Sequence, residues 1–89
     1  MNKWSRTTLA EAKQKIEEAQ ALLEEAKERL EWVREDELEK FSNASEGLQA
    51  TEKFQKMEDA ASELDDLVSD IEDSISTLDD VSGNDVFDL

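Results

Sequence analysis

The chain has 89 residues, no cysteine, histidine or proline, and 25 acidic against 10 basic residues for a net charge of −15. A chain this short fits one small domain without a large independent core, and lacking thiols and imidazoles it has no disulfide staple, neutral-pH switch or imidazole metal site. The surplus negative charge disfavours anionic lipid surfaces and direct phosphate binding and points to basic partners.

Met1 to Arg6 leads into polar, charged sequence with no apolar stretch of signal-peptide or membrane-spanning length, so the expected location is cytoplasmic. From Thr8 the apolar positions fall at Leu9, Ala12, Ile16, Ala19, Leu23, Ala26, Leu30 and Val33. The alternation of three and four residues is a heptad seam and predicts a helix over about residues 8 to 41. Thr8 with Glu11 reads as a capping box ahead of it, with Ser5 as an alternative cap. Large residues alternate with alanine along the seam until Val33, which would let an antiparallel partner helix approach closely. Trp32 lies beside the seam and is expected to pack against the junction, with an interface anchor as the second reading.

Residues 42 to 50, Ser-Asn-Ala-Ser-Glu-Gly-Leu-Gln-Ala, cluster glycine and small polar residues as helix connections do. Leu38, Phe41, Leu48 and Phe54 would form a small apolar plug at this end. The second helix, expected over about residues 51 to 81, carries Met57, Ala60, Ala61, Leu64, Leu67, Val68, Ile71, Ile75, Leu78 and Val81, a broader stripe than that of the first. Leu64, Leu67, Val68, Ile71, Ile75 and Leu78 are the candidate helix-helix or dimer interface. The two helices match at roughly 45 to 50 Å, which favours a hairpin. The fold class is therefore all-α, an antiparallel two-helix hairpin over residues 1 to 82 with a flexible acidic tail at 83 to 89. One seam buries little, so the hairpin is expected to dimerise into a four-helix bundle, a homodimer, or to bind a partner protein.

Asp36-Glu-Leu-Glu-Lys-Phe-Ser-Asn43, then Glu46-Gly-Leu-Gln49 and Glu52-Lys53, lead into the acidic Leu/Ile-rich helix. Over roughly residues 35 to 80 this resembles a group of small uncharacterised acidic helical proteins of phages and mobile elements. The resemblance implies a phage-like setting, in which short acidic proteins block host nucleic-acid-binding machinery, and it carries over no functional residue.

Charge divides the chain sharply. Residues 1 to 56 hold all ten bases with thirteen acids, whereas residues 57 to 89 hold twelve acids and no base, nine of them aspartates. On the second helix acids recur in pairs every seven residues: Glu58 and Asp59, Asp65 and Asp66, Glu72 and Asp73, Asp79 and Asp80, with Glu63 and Asp70 between. Seven residues are two turns, so the pairs stack on one side. Each like-charge neighbour costs about 0.2–0.5 kcal/mol, and aspartate is the poorer helix former, so helix stability does not account for the pattern. Arg6, Lys13, Lys27 and Arg34 would pair with one row of these acids, while Asp59, Asp66, Asp73 and Asp80 point away from the apolar stripe. The candidate partner-binding residues are Glu58, Asp59, Asp65, Asp66, Asp70, Glu72, Asp73, Asp79 and Asp80.

Twelve charges over this stretch give about one per 4 Å of helix, and two such helices about one per 2 Å, near the roughly 1.7 Å of duplex DNA. That density fits a DNA or RNA mimic directed at the basic groove of a host or defence protein, of anti-restriction or anti-CRISPR type. The competing readings are a solvated acidic surface and a coiled-coil adaptor bound through the broad stripe. With no histidine, cysteine or glycine-rich phosphate loop, no enzyme, cofactor or metal is expected, and the acid pairs lack the alternating ligand spacing of a calcium loop. The terminal Asp85-Val-Phe-Asp-Leu89 is a disordered end or a short docking motif.

Overall fold

A computed structural model of the chain describes residues 1–43, 47 and 52–89, apart from the side chain of Phe54. Helix α1 runs Lys3–Ser42, α2 runs Glu52–Ser82, and a short 3-10 helix, η1, runs Asp85–Asp88. The two long helices pack against each other as an all-α hairpin, and no described residue is in a strand. The Cα extents are 69 × 14 × 14 Å, a rod two helices thick. Of the expected connection at 42 to 50, Ser42 is the last residue of α1 and Asn43 its cap; residues 44–46 and 48–50, Leu48 among them, lie outside the described residues, as do the expected start of the second helix at Thr51 and the Phe54 side chain of the expected plug.

α1 begins five residues before Thr8 because a better cap lies upstream. The Asn2 side chain accepts a hydrogen bond from the Ser5 backbone N–H at 2.8 Å, satisfying one of the donors that the first turn leaves without a helical partner. Thr8 is thereby placed inside the helix, where its hydroxyl donates to the Trp4 carbonyl at 2.8 Å instead of capping. α2 ends at Ser82, where the Gly83 N–H donates to the Asp79 carbonyl at 3.0 Å. Beyond it the chain, expected to be a flexible tail, turns once more. Asn84 caps η1 by accepting from the Val86 N–H at 2.9 Å, and η1 contacts α1 with Phe87 half-buried.

The register is antiparallel and fixed by two ion pairs, Arg34 to Asp65 at 2.8 Å and Lys27 to Glu72 at 3.1 Å. As one residue number rises by seven the other falls by seven, so two turns of α1 match two turns of α2.

The seam itself differs from the expected one. Leu9, Ile16, Leu23 and Leu30 are half-buried as predicted, but the second column beside them is Lys13, Gln20, Lys27, Arg34 and Phe41, all half-buried. The expected column fares differently: Ala12 and Ala19 are exposed, Val33 is 50% exposed, and Ala26 alone is half-buried. Both columns flank the leucines equally. The helix turns toward the longer one because burying an alanine methyl removes little apolar surface. The alkyl stems of Lys27 and Arg34, by contrast, cover the seam while their charged ends reach Glu72 and Asp65. On α2 the seam comprises Met57, Ala61, Leu64, Val68, Ile71, Ile75 and Leu78, with Ala61 and Val68 fully buried, while Ala60, Leu67 (49%) and Val81 (41%) are exposed. Trp32 does not pack against the junction: it is 63% exposed, on the back of α1. Leu38 of the expected plug is 43% exposed, leaving Phe41 as its half-buried described member.

Candidate functional site

Heptad geometry sorts the charged residues of α2 into columns. Glu58, Asp65, Glu72 and Asp79 lie next to the seam, on the side of Lys27 and Arg34. The Arg34 guanidinium donates to Asp65, and the Lys27 ammonium lies between Glu72 and Glu31, the latter at 3.9 Å. The hydrogen bond from Lys27 to Glu72 and the charge of that carboxylate raise the lysine above its ordinary pKa. Half of the expected pairing therefore forms: among the described residues Lys27 and Arg34 reach across, and Arg6 and Lys13 do not. The groove on this side is lined by Gln20, Glu24, Lys27, Glu28, Glu31, Glu72 and Asp79 among others, so Lys27 sits within a predominantly acidic face.

The next column, Asp59, Asp66, Asp73 and Asp80, stands on the side of α2 opposite α1, and all four side chains are exposed. No base contacts any of them among the described residues; Asp59 accepts a hydrogen bond from the Gln55 amide at 3.2 Å. Glu63 and Asp70, also exposed, lie between this column and the far flank of the seam. The hydroxyls that interleave the acids do not neutralise them. Ser74 and Thr77 donate to the backbone carbonyls of Asp70 and Asp73 at 3.0 and 2.9 Å, leaving the carboxylates open to solvent. The arrangement is a straight, exposed line of fixed negative charge on a rigid element. Among the described residues no three carboxylates converge as a metal-binding group.

α1 handles its charge differently. Lys15 lies 3.6 Å from Glu18, and Lys40 lies 2.9 and 3.6 Å from Asp36 and Glu37, pairs at helical spacing that balance the surface locally. Asp36 holds the Lys40 ammonium above its ordinary pKa by hydrogen bond and charge.

On the face opposite the ion pairs lies a surface that the periodicity alone did not single out. A shallow depression there is lined by Val33, Met57, Ala60 and Leu64 together with Glu37, Glu52, Lys53 and Lys56, and heptad spacing continues its two flanks along the alanine column of α1 and the Ala60, Leu67, Ser74 and Val81 column of α2. Leu22, on the outer side of the alanine column, is 64% exposed. The signal in the sequence was the presence of two columns beside the leucines of α1, one of alanines and one of Lys13, Gln20, Lys27 and Arg34, of which one hairpin covers only one.

Searches against family models, curated proteins and solved structures return no match for this chain. No helix among the described residues is long and apolar enough to cross a membrane.

Proposed function

We propose that the protein is a non-enzymatic acidic binding protein that occupies the basic, nucleic-acid-binding groove of another protein, a cytoplasmic phage-type inhibitor that mimics nucleic-acid charge. The observation that carries this reading is the column Asp59, Asp66, Asp73 and Asp80, exposed along the back of α2 with no base against it among the described residues. A groove built for phosphates already holds cations at regular spacing, so a rigid line of carboxylates gains attraction and steering from charges fixed in advance. Aspartate suits the task better than glutamate, since its short side chain holds the charge near the helix with fewer rotamers to restrict. The contrast with α1, where lysines balance glutamates at helical spacing, supports a purpose for the imbalance beyond solubility.

The test is capture of basic proteins from the native host by the full chain and by a variant carrying Asp59→Asn, Asp66→Asn, Asp73→Asn and Asp80→Asn, each at low and high salt. Capture should fall steeply with ionic strength and be lost in the variant. Binding that survives both changes sinks the mimic and favours the second reading, a coiled-coil adaptor held by apolar contact. That reading is supported by the half-exposed Leu67, and under it Leu67→Gln abolishes capture while the hairpin stays folded.

A further inference from the structure

We infer that the uncovered apolar face binds a second copy of this chain, about a twofold axis parallel to the hairpin, so that α1 of each copy lies antiparallel against α2 of the other.

Burial makes the first case. Among the described residues only Ala61 and Val68 are fully buried, far less than a chain of this length needs for cooperative folding. The missing burial has an obvious source. Ala12, Ala19, Ala26 and Val33 on α1 and Ala60, Leu67 and Val81 on α2 share one face, interrupted by Ser74 and edged by Glu37, Glu52, Lys53 and Lys56 at the end where Val33 and Ala60 lie. From Ala12 to Val33 it is about 32 Å long and two helices, roughly 20 Å, wide, on the order of 600 Å² per copy. That is about a tenth of the 6605 Å² accessible surface and reaches the standard size of a stable interface, about 1,200 Å² or more in total. Small residues at the middle of the face let the second hairpin approach closely.

Charge at the rims selects the occupant and the axis. The outer border on α1 carries Lys15, Leu22, Arg29 and Asp36, and that on α2 carries Lys56, Glu63, Asp70 and Thr77. Each copy thus has one border of net positive and one of net negative charge, which are complementary under a twofold that sets α1 against the other copy's α2. The alternative twofold, across the hairpin, sets Glu63 and Asp70 against the same residues of the second copy. A twofold along the hairpin also leaves every residue at its own height, so the register is inherited from the Lys27 to Glu72 and Arg34 to Asp65 pairs. It brings Arg29, which has no ion pair among the described residues, level with Asp70 of the second copy, and Asp36, whose charge Lys40 balances at 2.9 Å, level with Glu63. Leu22 comes level with Thr77 of the second copy, and Val33 within one residue of Leu67. The columns Asp59, Asp66, Asp73 and Asp80 then stand at diagonally opposite outer corners, leaving two separate acidic lines free for partners.

The dimer does not depend on the proposed function, and the two respond oppositely to salt. Net repulsion between two copies of charge −15 is screened by added salt, so dimerisation strengthens where binding to a basic groove weakens. Sedimentation equilibrium of the full chain should give twice its 10.1 kDa mass, and a single-chain mass at about 100 μM in 0.5 M salt overturns the inference. Val33→Glu with Leu67→Glu, at positions half-exposed in the hairpin, should raise the dissociation constant at least a hundredfold, and a dimer indifferent to them lies on another face. Because the variant chains lose stability with the dimer, the rims provide a second measurement. Arg29→Asp alone should weaken the dimer about tenfold and Asp70→Arg added to it should restore it, whereas no restoration rejects the axis. Since the chain has no cysteine, a mixture of Val33→Cys and Leu67→Cys chains should oxidise to a disulfide-linked pair of one of each, and linkage of like chains alone also rejects it.

Discussion

Converting Asp59, Asp66, Asp73 and Asp80 to asparagine should make the protein more stable while removing its proposed activity. Three of these residues sit in the line Asp59, Glu63, Asp66, Asp70, Asp73, where every neighbour is three or four residues away and carries the same charge. Asparagine at 59, 66 and 73 breaks all four links, each of which costs about 0.2–0.5 kcal/mol on a helix. Asp80 lies in the last turn of α2, where the carbonyl end of the helix dipole disfavours a negative charge by about 0.3–1 kcal/mol. Asparagine and aspartate have similar helix propensity, so the gain is electrostatic, about 1–3 kcal/mol in all. For a domain of this size that raises Tm by roughly 10 °C. The assay is thermal unfolding followed by far-UV circular dichroism at one protein concentration, in low salt and in 1 M salt, where a screening length of about 3 Å should erase most of the difference. A variant that melts at or below the parent in low salt refutes the reasoning, since it means that these carboxylates already have favourable partners within the molecule.

Two further outcomes test the packing. Val68 is 5% exposed, so Val68→Ala removes two buried methyl groups and should cost about 1.5–2 kcal/mol, read as a lower urea midpoint with unchanged helix content before the transition. An unmoved midpoint means that the Val68 column is not the seam. The raised ammonium groups of Lys27 and Lys40 set an alkaline limit: their contribution is fully present below the pKa of a lysine in the unfolded chain. It is lost as pH rises through the higher folded values. The parent chain should therefore lose stability on that rise more steeply than a variant with Lys27→Met and Lys40→Met, and equal slopes in a pH series of urea melts argue against both ion pairs.

The helical hairpin was legible from periodicity because apolar spacing of three and four residues has one structural solution, and the wider stripe of α2 already indicated more burial than a single neighbour supplies. The column of unpaired acids was legible too, since the seam of a helix determines which residues stand opposite it. Helix starts were less so. Asn2, Ser5 and Thr8 are all competent caps, and choosing among them depends on whether the residues upstream continue the helix, as Lys3 to Thr7 do.

What the sequence by itself determined is the set of columns: leucine and isoleucine flanked on one side by alanines and on the other by lysine, glutamine and arginine. Which flank entered the seam was decided only in the tertiary structure. Rotating α1 by half a column costs almost nothing in local helix energy, and the outcome follows from the neighbour. Asp65 and Glu72 on α2 draw Arg34 and Lys27 inward, and the alanines that one helix alone marks as core are left on an open face. Pairing across the hairpin thus spends Asp65 and Glu72 on internal bridges, while Asp59, Asp66, Asp73 and Asp80 on the far side of α2 meet no base among the described residues.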